Sequence, residues 1–195
     1  MKRNRHTQQR AELLGEVVER LMQNGAAVCL MDGLYPETIL KQLRVSQNAT
    51  AYASLSLPHI LAILPNGDAL WIYVYLSKMR KPTLPLEPIL FLTALAVYEV
   101  DSLHILRWRG KVYGLTMDDV WRAMDKVVIP RNCADYFESE REYVATALLP
   151  SDVQIVYDDD VPFPLIQLYP DHLTMLPDWH LQLDVCFAGV GDEHI

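Results

Sequence analysis

The sequence lacks the short motifs that identify several large enzyme classes. It has no GxxxxGK[ST] loop, no GxGxxG turn, no GxSxG elbow and no HExxH helix. In their respective families, those patterns hold phosphates, a dinucleotide, a serine nucleophile or a zinc ion. Nothing in the chain therefore points to a P-loop NTPase, a Rossmann dehydrogenase, an α/β hydrolase or a zinc protease of those types.

Cysteine is also scarce. The three cysteines, Cys29, Cys133 and Cys186, lie far apart and form no CxxC pair, which excludes a zinc ribbon. An odd number of cysteines beside apolar stretches is typical of free thiols in a reducing compartment. We expect buried free thiols rather than a disulfide framework.

Long apolar runs are missing as well. No run approaches the roughly 18 residues of a membrane-spanning helix, and no apolar signal core follows the basic segment 1–10. We therefore predict a cytoplasmic protein. The 195 residues are 51% hydrophobic and 22% charged, as in a globular chain with one core, or one core and a small appendage.

Basic residues are nearly absent from the last third of the chain. Residues 135–195 contain 13 acidic side chains and a single basic one, Arg141. Residues 1–10 carry four basic groups and residues 11–134 are balanced, which gives the net charge of −8. Such an acidic surface repels a nucleic-acid backbone and attracts basic partners. The alternative is that the acidic surface only keeps the protein soluble.

Hydrophobic periodicity predicts a succession of helices and strands up to residue 128. Helical spacing, a proline in a first turn and the pair Thr116 and Asp119 mark helices, whereas short runs rich in β-branched and aromatic residues mark strands. In order, the predicted elements are a helix (11–24), a strand (26–31), a helix (36–44), two hairpin strands (57–64 and 69–76), a helix (86–100), two strands (102–108 and 111–115) and a helix (116–128).

The predicted hairpin has bulky side chains on both faces of its second strand. Its strands are joined by PNGD, in which Asn66-Gly67 adopts left-handed turn conformations at little cost. Ile72 and Val74 alternate with Tyr73 and Tyr75. We therefore expect a central strand that is covered on both sides.

The sequence pattern changes after residue 129. An amphipathic pattern predicts a helix over 134–149, and three apolar segments separated by prolines predict strands at 152–157, 164–169 and 181–187. The last segment, LQLDVCF, alternates as a strand does. We interpret this region as a helix followed by a small antiparallel sheet.

The order helix, strand, hairpin, helix, strand over about residues 11–125 resembles the core of the PD-(D/E)XK nuclease superfamily. Within it, the resemblance is to virus-type replication-repair nucleases and Holliday-junction-resolvase-like domains. Pro58-His59 lies at the family's Pro-Asp segment, Asn66-Gly67 at its turn, and Tyr73-Val74-Tyr75 at its Glu-x-Lys strand.

The resemblance implies an α/β fold class, with a mixed central sheet flanked by helices in a restriction-endonuclease-like core. To this core the sequence adds a small acidic α+β C-terminal extension. We divide the chain into a basic flexible arm (1–10), a nuclease-like core (11–128) and an acidic extension packed on that core (129–195).

The sequence departs from the family at each catalytic position. In the family, an acidic pair binds Mg²⁺ and a lysine positions the attacking water. Here Pro58 is kept, but His59 replaces the Asp, Tyr73 the Glu and Tyr75 the Lys. A neutral phenol, with an ordinary pKa of about 10, is a poor Mg²⁺ ligand. These side chains would stack on bases or on a partner's aromatic groups, or simply pack beneath a helix.

Three further groups of residues are candidates for chemistry or binding. Some relatives move a catalytic group to a neighbouring element, and the acids and lysine suited to this are Glu16, Glu19, Glu87 and Lys78. A basic rim for phosphates, with solvated loop charges as the alternative, would consist of Lys78, Arg80, Lys81, Arg107, Arg109 and Lys111. Asp178 and His180 are weak candidates for metal ligation.

The sequence favours a binding protein rather than an enzyme. A pseudoenzyme of this kind would be a phage- or plasmid-type accessory or inhibitor protein whose acidic face engages a basic, nucleic-acid-binding protein. No cofactor, no membrane and no catalytic residue are expected, and a homodimer is left open. The alternatives are a nuclease with relocated acids, which would need Mg²⁺, and a DNA-binding module that uses the basic rim.

Overall fold

The computed structural model describes residues 5–31, 58–95, 100–131, 153–161 and 163–188. The predicted helices at 36–44 and 134–149 lie outside these residues, as does Cys133. In the described ranges, no helix has both the length and the apolar character needed to cross a membrane.

Five helices and nine strands lie within the described residues. The helices are α1 (Arg5–Gln23), α2 (Leu86–Leu95), α3 (Met117–Ala123), α4 (Pro170–Thr174) and α5 (Trp179–Ala188). The strands are β1 (Ala27–Leu30), β2 (Ile60–Ile63), β3 (Ala69–Ser77), β4 (Thr83–Pro85), β5 (Asp101–Trp108), β6 (Lys111–Leu115), β7 (Met124–Ile129), β8 (Gln154–Tyr157) and β9 (Leu165–Leu168).

The predicted hairpin is present and lies at the centre of the larger sheet. Strands β2 and β3 pair antiparallel around a turn in which Gly67 has φ +94°, a conformation that glycine adopts without strain. In the described part of the chain this first sheet has five strands in the order β1-β2-β3-β5-β6. Strands β3 and β5 are parallel and the other pairs are antiparallel, so the sheet is mixed.

A second sheet combines strands from distant parts of the chain. Its described strands run in the order β4-β9-β7-β8, with β7 and β8 parallel and the other neighbours antiparallel. Strand β4 precedes residue 128, β7 runs across it, and β8 and β9 follow it. The fold class, α/β with a mixed sheet flanked by helices, is confirmed. The division into core and extension at residues 128 and 129 stays a prediction.

The two faces of the first sheet border two separate apolar cores. On one face, Leu13 and Val17 of α1 and Leu183 of α5 cover Ile72 and Val74 of β3. We call this the α1 core. The opposite face meets the second sheet and α2 in an inter-sheet core that contains Tyr73, Tyr75, Leu86, Val127 and Ile166. Strand β3 is therefore covered on both sides, as its bulky residues predicted.

The structure corrects several predicted elements in the first two thirds of the chain. Helix α1 begins at Arg5, so residues 5–10 are helical rather than part of a flexible arm. The predicted helix over 116–128 ends at Ala123, although Thr116 and Asp119 form the expected capping box. From Met124 the backbone is extended, because Val127, Val128 and Ile129 are β-branched and pair with β8 and β9. Cys29 is exposed rather than buried.

The predicted strand at 181–187 is wrong, because this segment is helical. Asp178 starts α5 by accepting the backbone N–H of His180 with its side chain, at 2.9 Å. Its backbone carbonyl accepts the N–H groups of Leu181 and Gln182. The apolar residues that face the α1 core are Trp179, Leu183, Cys186 and Phe187. That spacing is helical, and it was hidden by the alternation of LQLDVCF.

Substitutions on α5 test this register. In a strand, Leu181 and Leu183 would share one buried face, whereas in the helix Leu183 is fully buried and Leu181 is 57% exposed. We expect Leu183→Ala to lower the free energy of unfolding by about 2–5 kcal/mol and Leu181→Ala by less than about 0.5 kcal/mol. Urea unfolding followed by circular dichroism measures both. Equal losses for the two variants would contradict the helix.

Candidate functional site

The hairpin brings the three substituted motif positions together. Tyr73 and Tyr75 project from β3 into the inter-sheet core, and His59 directly precedes β2. The backbone N–H of His59 donates to the carbonyl of Ile72 at 2.9 Å, and its ring Nδ1 accepts from the N–H of Val74 at 2.7 Å. This pair of hydrogen bonds fixes the position of the His59 ring against β3.

A fourth ring, His104 of β5, completes an aromatic cluster with His59, Tyr73 and Tyr75. Because β5 runs parallel to β3, His104 lies opposite Tyr73 in the register. The two rings stack with centroids 5.1 Å apart, and the ring of His59 meets that of Tyr75 edge-on at 5.6 Å. The sequence alone does not bring His104 to this cluster, because the register of two strands that lie far apart in the sequence is not visible in it.

Burial keeps three rings of this aromatic cluster uncharged, those of Tyr73, Tyr75 and His104. His104 is fully buried, neither ring nitrogen has a hydrogen-bond partner among the described residues, and burial lowers its pKa to about 3. Burial raises the pKa of Tyr73, and it raises that of Tyr75 well above the ordinary phenol value. Tyr73, Tyr75 and His104 are therefore neutral rings at pH 7.

A cavity of about 370 Å³ opens beside the aromatic cluster, and we call it the β3 cavity. Arg10 from α1, His59, Tyr75 and Glu87 from the first turn of α2 contribute its polar groups. Burial raises the pKa of the Glu87 carboxyl. Among the four relocation candidates, Glu87 is the one that lines this cavity.

The other relocation candidates lie elsewhere. Glu16 is on the exposed side of α1 and forms an ion pair with Arg107 at 3.2 Å. Glu19 is exposed and accepts a hydrogen bond from Gln23 at 3.3 Å. Lys78, just after β3, lines a different pocket beside Trp108. In the described ranges, no three His, Cys, Asp or Glu side chains are grouped so that they could hold a metal ion.

Only part of the predicted basic rim comes together. Lys78, Arg107 and Arg109 line one pocket, where the Arg109 guanidinium lies 4.6 Å from the ring centroid of Trp108. Arg109 also donates to the backbone carbonyl of Arg80 at 3.2 Å, which brings residue 80 to this pocket.

The remaining two rim residues are separated from that pocket. Lys81 forms an ion pair with Asp125 at 2.6 Å, and Lys111 lines another pocket next to Asp178. The basic rim is thus a cluster of three side chains rather than six.

Asp178 and His180, the weak metal candidates, have a structural role. Oδ1 of Asp178 lies 3.2 Å from Nδ1 of His180 and also accepts the backbone N–H that starts α5. Both side chains are exposed. The two residues therefore form the cap at the start of α5.

Comparison with known proteins finds distant similarity to a solved structure. No protein-family model matches the sequence, and no curated protein matches it. Among solved structures, the chain is similar to Hjc, a Holliday junction resolvase from the archaeal hyperthermophile Archaeoglobus fulgidus. The match has a TM-score of 0.37 and 15% identity, and it covers 57% of this chain and 75% of that one.

The buried His104 predicts a loss of stability in mild acid. Its pKa in the folded state, about 3, lies below the ordinary value of 6.5. Between these values the unfolded chain takes up a proton that the folded chain does not, so stability falls as the pH falls. From pH 7 to pH 5 we expect the free energy of unfolding to drop by about 2 kcal/mol through this group.

The variant His104→Phe tests the assignment, because it keeps a ring in the stack and removes the titration. Urea unfolding at pH 7, 6 and 5 should show a flatter pH dependence for His104→Phe than for the wild type. An unchanged slope in His104→Phe would show that the ring is not protonated on unfolding.

Proposed function

We propose that this chain is a non-catalytic binding protein on a nuclease-like scaffold. It serves as a phage- or plasmid-type accessory or inhibitor protein and engages a nucleic-acid-binding protein. The observation that supports this most directly is the aromatic cluster. His59, Tyr73 and Tyr75 fill the motif positions as aromatic rings, and Tyr73 stacks on the fully buried His104.

The chemistry of these side chains argues against the ancestral reaction at this place. Mg²⁺ takes oxygen ligands at about 2.1 Å and is bound through carboxylates, whereas the cluster offers phenols whose pKa is raised by burial. The lysine that would orient a water molecule and stabilise charge is also replaced, by Tyr75. Restoring metal binding here would require a charge in the inter-sheet core.

Charge complementarity supports a basic partner. The last 61 residues carry a formal charge of −12, and their described part includes the exposed turn at Asp158, Asp159 and Asp160 after β8. Asp159 is 3.6 Å from Arg131 in an exposed ion pair, which contributes little neutralisation in water. Such a turn fits the surface of a protein that itself binds nucleic acid, because that surface is basic.

A capture experiment with matched charge variants tests this partner. The tagged chain should retain nucleic-acid-binding proteins from its native host at roughly 50 mM salt and lose them at roughly 500 mM, because salt screens surface charges. Replacing Asp158, Asp159 and Asp160 by Asn should remove them. The control removes equal charge outside the acidic block, by Glu12→Gln, Glu19→Gln and Asp118→Asn, and should keep them. If both variants capture the same proteins, the acidic turn is not the docking surface.

Two alternatives each have one supporting observation. Glu87 lies in the β3 cavity beside Tyr75, where a relocated catalytic acid of a metal-dependent nuclease would be needed. Lys78, Arg107 and Arg109 share a pocket, where a DNA-binding module would contact phosphates. The proposed binding protein requires neither activity.

A nuclease assay separates the three functions. We expect no cleavage of single-stranded or double-stranded DNA or RNA with Mg²⁺ or Mn²⁺. Cleavage that disappears in Glu87→Gln and persists in Glu16→Ala and Glu19→Ala would establish the nuclease instead. Binding is measured on the same substrates in EDTA. Affinity that falls steeply with salt, and that Lys78→Ala and Arg109→Ala weaken but the exposed control Arg122→Ala does not, would establish the DNA-binding module.

A further inference from the structure

The β3 cavity is lined mainly by apolar side chains. Its volume of about 370 Å³ lies near the lower end of the range for binding pockets, about 300–1,000 Å³. Arg10 and Glu87 lie on the lining, and their opposite formal charges cancel. Such walls favour an uncharged, hydrophobic occupant over an ion. The apolar lining residues include Leu84, Pro85, Pro88, Phe163 and Leu165.

One wall of this cavity and the acidic turn belong to the same loop. Phe163, which lines the cavity, follows Asp160 by three residues. Because a chain extends by at most about 3.6 Å per residue, the Cα atoms of these two residues are no more than about 11 Å apart. A segment of a partner that docks on the acidic turn would therefore also reach the cavity.

The loop that joins β8 to β9 is fixed at three points. The backbone N–H of Asp158 donates to the carbonyl of Ile129 at 3.0 Å, and the N–H of Leu86 donates to the carbonyl of Pro164 at 3.1 Å. Between these points, Val161 is buried in a small apolar cluster. These contacts hold the acidic turn at a constant spacing from the cavity. A preorganised surface loses less entropy when it binds a partner.

The wall formed by Phe163 is accessible to a partner. The side chain of Phe163 is 47% exposed, and the ring of His59 also lies on the lining. Aromatic rings gain stabilisation from stacked or edge-on contacts with other rings, so these walls favour an aromatic side chain over an aliphatic one. Aromatic side chains that fill a pocket are also the groups that contribute most to affinity at protein interfaces.

We propose that the β3 cavity receives one large aromatic side chain from a basic segment of the protein partner. The aromatic ring packs against Phe163 and the apolar walls. Lysine or arginine residues within about four positions of that ring pair with the carboxylates of the acidic turn. This inference rests on the proposed function, since it needs a basic partner at the acidic turn. It adds the requirement that the partner carries an uncharged anchor among its positive charges.

Two synthetic peptides that differ at one position test the anchor. Both consist of lysine and glycine, with tryptophan at the centre of one and alanine at the centre of the other. In fluorescence anisotropy with the full chain at low salt, the tryptophan peptide should bind at least about tenfold more tightly, because it buries a large apolar side chain. Equal affinities of the two peptides, or no saturable binding of either up to millimolar concentration, would overturn the inference.

Variants of the chain separate the anchor from the acidic turn. Phe163→Ala removes a wall of the cavity and should reduce the preference for the tryptophan peptide at least about fivefold. The control Leu181→Ala, at a 57% exposed position on α5 outside the cavity, should keep that preference. Replacing Asp158, Asp159 and Asp160 by Asn should weaken both peptides equally and leave their ratio unchanged. A preference that persists undiminished in Phe163→Ala would overturn the inference.

The outcomes distinguish this inference from the proposed function. If both peptides bind with equal affinity and the Asn variant binds neither, the acidic turn docks a basic partner without an aromatic anchor. If the Asn variant binds both peptides as tightly as the wild type, the turn is not the docking surface and both proposals fall. Self-association of the chain that Phe163→Ala prevents would place a second copy in the cavity and overturn the inference. Thermal unfolding confirms that each variant is folded, and Phe163→Leu, which keeps an apolar side chain, carries the test if Phe163→Ala does not fold.

Discussion

The architecture depends on the burial of strand β3 on both faces. Ile72 and Val74 pack into the α1 core while Tyr73 and Tyr75 pack into the inter-sheet core, and both neighbouring strands in the first sheet pair with it along their length. A strand in that position tolerates no unpaired charge, because the free energy needed to desolvate an ion is far larger than the stabilisation from the contacts of one strand. Each residue on β3 is consequently apolar or held neutral. That constraint governs the chemistry of the whole site.

Under this constraint, the two tyrosines of β3 have a structural benefit. Tyrosines at these positions bring large apolar surface into the inter-sheet core, where they stack with His104. The rings fill this part of the inter-sheet core. The space that remains is the β3 cavity, which is bordered by Tyr75 and Glu87 rather than by a row of charges.

Local signals in the sequence were sufficient for some elements and failed for others. The Asn66-Gly67 turn and the capping pair Thr116 and Asp119 are complete within a few residues, so they could be predicted. The segment LQLDVCF fits the periodicity of a strand as well as that of a helix. Its helical conformation depends on the contacts of Asp184 with Arg20 and Asn24, which lie about 160 residues away in the sequence. The place of His104 in the aromatic cluster could not be predicted for a similar reason, because the parallel register of β5 against β3 is a tertiary property. The sequence identifies Glu87 as a candidate acid. Its position on the β3 cavity could not be predicted, because it depends on how the chain crosses from β3 to α2.

The contact between α1 and α5 also determines the order in which the fold can be completed. Asp184 bridges to Arg20 and Asn24, and Trp179 and Leu183 close the α1 core over strands that are made much earlier. While the chain is being synthesised, the part of this face that Trp179 and Leu183 cover stays exposed until α5 emerges from the ribosome. During that interval the nascent chain presents an apolar patch beside α1, the kind of surface that a holding chaperone binds.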